Sequence, residues 1–308
     1  MAAVEGPVAS GTTARTGDLP GSVVAAGLVV GVLAVSSSPI LVRVGHLPAL
    51  ALAFWRCAAG AAVLAPFALR SRRGREPVAR RHAGQLGLAG ALLAVHFALF
   101  NASLSLTTVA SSVVLVSCSP LFVGLGARRA GEPPSRRAWL GIAIATGGAV
   151  VVGLGDAGAV RLGSRALLGD AMAFAGAAAI AGYLLIGRSA RQRLPLATYA
   201  SSVYGTAALV LLPACLLVGA RLDGYRAGSW LVLAAVVVGP QLLGHTVFNG
   251  LLSTVTASVV AVVILLEPVA ATLLAWALFA EVPSAWFWFG APLVLAGVWL
   301  AAAGGPAA

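Results

Sequence analysis

Apolar residues along this chain come in long blocks, not in strand-like alternation or a narrow helical stripe. Ten blocks stand out, at about 21–42, 48–69, 84–103, 107–127, 137–154, 167–187, 195–218, 229–249, 254–279 and 285–304. Each approaches the roughly 20 residues with which an α-helix crosses a hydrocarbon core about 30 Å thick. Charged residues gather in the stretches between them. In lipid only helices or closed barrels satisfy every backbone group, and blocks of this length select helices. The pattern therefore predicts an all-α membrane protein with ten transmembrane helices.

Composition agrees and removes other classes. Of 308 residues, 60% are hydrophobic and 9% charged, against about 25% charged in a soluble domain. The net charge of +11 would suit nucleic acid, but the chain has no Lys and its Arg residues lie mostly in the connections. There they set orientation instead. Connection 2–3 carries Arg70, Arg72, Arg73, Arg75, Arg80 and Arg81 against Glu76. Connection 4–5 carries Arg128, Arg129, Arg136 and Arg137 against Glu132, and connection 6–7 carries Arg188, Arg191 and Arg193. The odd connections are poorer: Arg43; Arg161 and Arg165 with Asp156; Arg221 and Arg226 with Asp223; Glu281 alone. The even connections, and with them both termini, are expected on the cytoplasmic side of an inner (plasma) membrane. Residues 1–20 read as a disordered tail; a cleavable signal peptide with Arg15 in its n-region is the lesser alternative, because no small-x-small cleavage site follows. Cys57, Cys118 and Cys215 lie far apart inside apolar blocks, as buried core residues do, and suit neither a disulfide framework nor a metal site. No cofactor is implied, and the chain is expected to act as a monomer or homodimer.

The chain also repeats. Glu132-Pro133-Pro134-Ser135 corresponds to Glu281-Val282-Pro283-Ser284, and Trp139 and Gly141 correspond to Trp288 and Gly290, all at an offset of 149 residues. Leu47-Pro48 and Leu194-Pro195 correspond at 147, and Ser119-Pro120 and Glu267-Pro268 at 148. Five segments over 21–154 are thus duplicated over 167–304. With an odd number of spans per copy, the second copy must lie upside down. Inverted repeats enclosing a midplane site are a mark of secondary transporters.

These residues carry a family resemblance. Ala257-Ser258, Leu266-Glu267-Pro268-Val269, Glu281, Gly290 and Ala296-Gly297-Val298 are echoed by Ala110-Ser111, Pro120, Glu132, Gly141 and Gly147-Gly148-Ala149. In order, spacing and duplication the chain resembles the EamA-type transporters of the drug/metabolite transporter superfamily. The resemblance runs from about residue 22 to 303. It implies alternating access and transport of a small molecule, often efflux of amino acids or related metabolites.

Ionisable groups inside spans are costly and point to function. Glu267 is the sharpest candidate, either binding a substrate ammonium or a proton, or pairing structurally with Arg56. Arg56 would hold a substrate carboxylate, with Glu267 as its partner in the empty state, or else cap backbone carbonyls or snorkel. At 1.5 Å per residue, Glu267 lies about 20 Å from the inner end of its span, Arg56 about 12 Å from the outer end of its own, and His96 about 18 Å from the inner end. These three share a level slightly outside the midplane, and His245 is expected nearer the cytoplasm. His96 and His245, equivalent by the repeat, form a candidate proton relay or are satisfied core residues. Asn101, Asn249, Gln241, Tyr183 and Tyr204 line a path or bond helices to each other. Trp55 and Trp276 are cavity walls or packing residues; Trp286 and Trp288 read as interface anchors. Ser119 is the first-repeat counterpart of Glu267. Glu132, Glu281 and Asp170 are expected to cap the helices they precede or open.

Enzyme motifs are missing: no phosphate loop, no His-Glu-x-x-His, no Gly-x-Ser-x-Gly. Ser111, Ser112, Ser117 and Ser119 cluster near His96 without a buried acid in the first half. The expected function is secondary active transport of a small polar metabolite, as export of amino acids or related compounds, with a proton as candidate coupling ion. The alternative is a membrane-embedded enzyme or lipid-handling scaffold.

Overall fold

The computed structural model describes residues 19–71, 78–107, 109–156 and 164–304. The tail before residue 19, Arg72, Arg73, Arg75 and Glu76 of the second connection, and Arg161 lie outside the described residues, as do the side chains of Arg43, Arg80, Arg81 and Asp156. Every element among the described residues is a helix. Segment 1 forms α1 (Gly21–Ser36) and α2 (Ser38–Gly45), segment 2 forms α3 (Ala49–Ser71) and segment 3 forms α4 (Val78–Leu106). Segment 4 forms α5 (Val109–Val116) and α6 (Ser119–Arg129), and segment 5 forms α7 (Arg136–Asp156). In the second half come α8 (Ser164–Arg191), α9 (Leu196–Leu217), and α10 (Ala227–Val236), which runs through a π-helix (Val237–Thr246) into α11 (Val247–Leu251). Segment 9 forms α12 (Ala257–Ile264) and α13 (Leu266–Phe279), and α14 (Ala285–Gly304) closes the chain. Nine stretches among the described residues are long and apolar enough to cross a membrane; α7, which opens on Arg136-Arg137, is a helix but not one of the nine.

Four segments expected as single helices are interrupted, and proline explains each. A proline lacks the N–H that would bond the carbonyl four residues back, and its ring crowds that carbonyl. Pro39, Pro120 and Pro268 therefore release the carbonyls of Val35, Val116 and Ile264, at the ends of α1, α5 and α12. Each break is tightened by a bond three residues back: Ser37 N to Ala34 O (3.3 Å), Cys118 N to Leu115 O (3.2 Å) and Leu265 N to Val262 O (3.0 Å). In segment 8, Pro240 lies within the π-helix, whose wider turn absorbs the missing bond.

Several helix pairs join the repeats, α7 with α14 and α3 with α9 among them. The helices α7 and α14 run antiparallel at backbone contact. A Cβ on Gly141 would stand 2.4 Å from Ala301 N, and one on Gly297 would stand 2.3 Å from Ala145 N. One on Gly148 would stand 2.6 Å from Val294 N, and one on Gly290 2.7 Å from Gly148 O. Gly141 and Gly290 are repeat partners, as are Gly148 and Gly297, so each helix offers the same glycines to the other. Small residues at this spacing let helices approach closely in lipid, where van der Waals contact and not water exclusion holds them. Likewise α3 packs antiparallel on α9: the hydroxyls of Ser71 and Thr198 are 3.0 Å apart, and Ser201 Oγ donates to Ala61 O at 3.4 Å. The main core draws on both halves, Ala53, Leu93 and Val123 joining Tyr183, Tyr204 and Val260. The outer faces stay apolar, with Leu209, Leu217, Trp286 and Trp288 exposed, as surfaces against acyl chains do.

Candidate functional site: a buried polar chain at the broken helices

Two turns into α3, Arg56 is buried, with 7% of its surface exposed. Its Nε donates to Gln241 Oε1 at 2.7 Å, and its guanidinium lies over the Phe97 ring, 4.6 Å from the centroid. A guanidinium inside a span needs such partners, and the ring face supplies partial negative charge. Gln241 is fully buried in the π-helix. It reaches Arg56 across Gly60, where a Cβ would stand 3.0 Å from Gln241 Cγ and 3.2 Å from Tyr204 Cδ2.

From Gln241 a line of hydrogen bonds runs through the second half. Thr246 Oγ1 donates to the Gln241 carbonyl at 3.0 Å, five residues back, which is the span of one π-turn. With that proton used, the Tyr204 hydroxyl, 3.0 Å away, must donate to Thr246 Oγ1. Tyr204 then accepts from Asn249 Nδ2 at 3.1 Å, and Tyr183 donates to Asn249 Oδ1 at 2.7 Å. Each hydroxyl has one proton to donate, so the direction of the chain is settled by Thr246. Gln241 receives bonds at both oxygens, one from this chain and one from Arg56. Such runs polarise one another and hold their members in one geometry.

Five of the expected site residues, Arg56, Gln241, Asn249, Tyr183 and Tyr204, are therefore brought together. Glu267 stands beside the break at Leu265, half-buried in the first turn of α13, where the helix N-terminus favours a carboxylate. Among the described residues no ion pair joins it to Arg56, although Arg56 is the charge that acts on it. His96 places Nδ1 3.0 Å from the Gly176 carbonyl, which makes that nitrogen the protonated one and ties α4 to α8. His245 meets the Phe97 ring edge-on at 5.8 Å. Arg56 and His245 thus both lie beside the Phe97 ring.

Other candidates lie apart. Trp55 Nε1 donates to Leu222 O at 2.8 Å and its ring packs on Trp230, so it clasps the 7–8 connection. Asn101 Nδ2 donates to Ala49 O at 3.2 Å, joining α4 to the start of α3. Ser119 is buried at the start of α6, before Pro120. Asp170 accepts from Ser111 Oγ at 2.7 Å, so an acid from the second half meets the serine cluster, while the Nδ1 of His96 is committed elsewhere.

Sequence reasoning missed Thr246 and Phe97. Thr246 had a signal, a hydroxyl five residues after a buried amide beside a proline; Phe97 had none within an apolar block. It also read Glu132 as a helix cap. The structure corrects this: Ser135 Oγ caps α7 by accepting from Ala138 N at 3.2 Å. Glu132 instead receives Arg188 side-on, Nε to Oε1 at 2.9 Å and Nη2 to Oε1 at 2.8 Å. Arg188 Nη1 also holds Leu252 O at 2.8 Å, and Arg191 Nε holds Asn249 O at 2.9 Å. This clasp, beside a cleft of about 200 Å³ lined by Glu132, Arg188 and Gln192, joins the halves at the Arg-rich end.

Residues 22–154 and 167–303 each match the EamA-like transporter family. A solved structure, described only as the crystal structure of a protein, aligns with a TM-score of 0.76 at 21% identity, over 91% of this chain and 96% of its own. At that identity it shows a shared fold. No curated protein matches the chain.

Proposed function

Because the chain belongs to the EamA-like transporter family, we propose that it exports a small polar metabolite, an amino acid or a related compound, by secondary active transport. The carrying observation is the polar chain from Tyr183 to Arg56, buried within apolar spans and assembled from both halves. A protein that only had to stand in lipid would not bury a guanidinium, two amides and two phenols at such cost.

In this reading ten helices cross the membrane, α7 included, as two inverted five-helix repeats. The matched glycines that α7 and α14 exchange support a two-fold relation in the membrane plane. Arg-rich even connections support cytoplasmic termini in an inner (plasma) membrane. The prolines at 39, 120, 240 and 268 provide points where halves of a span can tilt, as in other carriers with broken helices around a midplane site. Cargo or a proton binds near Glu267 and Arg56, one mouth closes, and the other opens. No nucleotide motif is present in the sequence, so a gradient drives the cycle.

Vesicles loaded with radiolabelled amino acids and metabolites test this. Flux is expected with the purified wild-type protein and is lost in Glu267→Gln. No flux of any solute overturns the transport reading. Unchanged flux in both Glu267→Gln and Arg56→Ala removes the site and leaves the fold.

A further inference from the structure

We propose that Arg56 and Gln241 form a two-donor clamp for a carboxylate of the cargo, with Gln241 the residue that sets this preference. The proposal rests on the transporter reading for its route of access. The bond from Arg56 Nε to Gln241 Oε1 locks guanidinium and carboxamide side by side. It leaves Arg56 Nη2 and Gln241 Nε2, both buried and both without a hydrogen-bond partner. Both atoms are obligate donors, so what is missing beside them is an acceptor. The neighbouring hydroxyls of Tyr204 and Thr246 bond along the chain to the Gln241 carbonyl, and neither accepts from Arg56 Nη2 or Gln241 Nε2. Phe97 covers one face of the guanidinium, which directs any ligand to its edge.

Charge narrows the class. Arg56 carries a full charge with no ion-pair partner among the described residues, and Glu267 acts on it from a distance. A carboxylate brings one negative charge and two coplanar oxygens, and planar charge-assisted pairs are the strong ones. An amide or alcohol brings an acceptor without the charge. A phosphate monoester brings nearly two negative charges, one more than a single guanidinium compensates. The donors are enclosed in this state, so cargo reaches them when the halves part.

The test is thermal unfolding of detergent-purified protein with small carboxylic acids, L-amino acids and 2-oxo acids included, each beside its own amide. At least one acid is expected to raise the midpoint while its amide does not. In Gln241→Leu and Arg56→Gln, half-saturation by that acid should rise by at least about tenfold, the loss of one charge-assisted bond. Gln241→Glu supplies an internal carboxylate to Arg56, so it should be stabilised and unresponsive; it decides the matter should Gln241→Leu not fold. Amides acting as well as acids, no acid acting, or a response retained in Gln241→Glu each overturns the clamp. Vesicle flux on the same panel separates the two readings. Flux without carboxylate preference sinks the clamp and leaves the transporter; carboxylate-specific stabilisation without flux does the reverse.

Discussion

Two of the helix pairs that join the repeats, α7 with α14 and α3 with α9, are built on opposite principles. Between α7 and α14 the contact is apolar, backbone against backbone, with Gly141 against Gly297 and its repeat equivalent, Gly290 against Gly148. Between α3 and α9 the geometry is again antiparallel, but the residues differ. Arg56 in α3 corresponds to Val203 in α9, 147 residues on, and Cys57 corresponds to Tyr204. The first pair needs nothing but closeness, which two copies of one sequence supply to each other. The second holds a charge and a directed chain of hydrogen bonds, which needs unlike residues on its two sides. Duplication thus accounts for the scaffold, and divergence of one copy from the other accounts for the buried polar chain. The same contrast appears at the central breaks, where Ser119-Pro120 answers Glu267-Pro268: both break the helix, and only one carries an acid.

The comparison is most severely broken at the glycine seam. A leucine in Gly297→Leu would drive its Cβ into the Ala145 backbone at 2.3–2.7 Å, where no side chain can yield. We expect no monodisperse folded protein in size-exclusion chromatography; a folded variant would mean the seam does not hold the repeats. Arg56→Ala should act the other way, keeping helical content by circular dichroism while flux falls at least tenfold, equivalent to about 1.4 kcal/mol. Loss of fold instead of flux would make Arg56 a scaffold residue. Thr246→Val removes the donor that orders the chain into Gln241. Buried polar bonds between membrane helices average about 0.6 kcal/mol, so a small drop in the thermal midpoint with weakened flux is expected. Unchanged flux would detach the chain from the site. The smallest effect belongs to Glu132→Gln at the Arg-rich end. The pair with Arg188 is partly exposed, 18% and 31% for the two side chains, so its loss should cost no more than about 1 kcal/mol. The variant's midpoint should also respond less to salt than that of the wild type.

The contrast also explains what could be read in advance. Block length announced membrane helices, because a bilayer asks only for enough consecutive apolar residues. Leu47-Pro48 against Leu194-Pro195, and Glu132 against Glu281, disclosed the duplication, because prolines and loop acids are conspicuous in apolar sequence. Arg56, Gln241, Tyr183, Tyr204 and Asn249 stood out for the same reason. Their partners did not. The breaks at Ser37, Cys118 and Leu265 lie next to visible prolines, yet an apolar block looks the same whether its helix is whole or interrupted. The π-turn that aligns Thr246 with Gln241 leaves no periodic trace. Phe97 is one aromatic among many apolar neighbours until Arg56 lies on it.

By itself, then, the order of residues determined the environment, the helical class, the duplication and the short roster of polar residues that lipid makes expensive. Those are consequences of local composition and of spacing along one chain. Which of them touch, that Glu267 and Arg56 stay out of contact, that Glu132 belongs to Arg188, and that two buried donors remain unmatched were decided only in three dimensions. Such pairings join residues up to 185 positions apart, and packing geometry, not sequence distance, selects them.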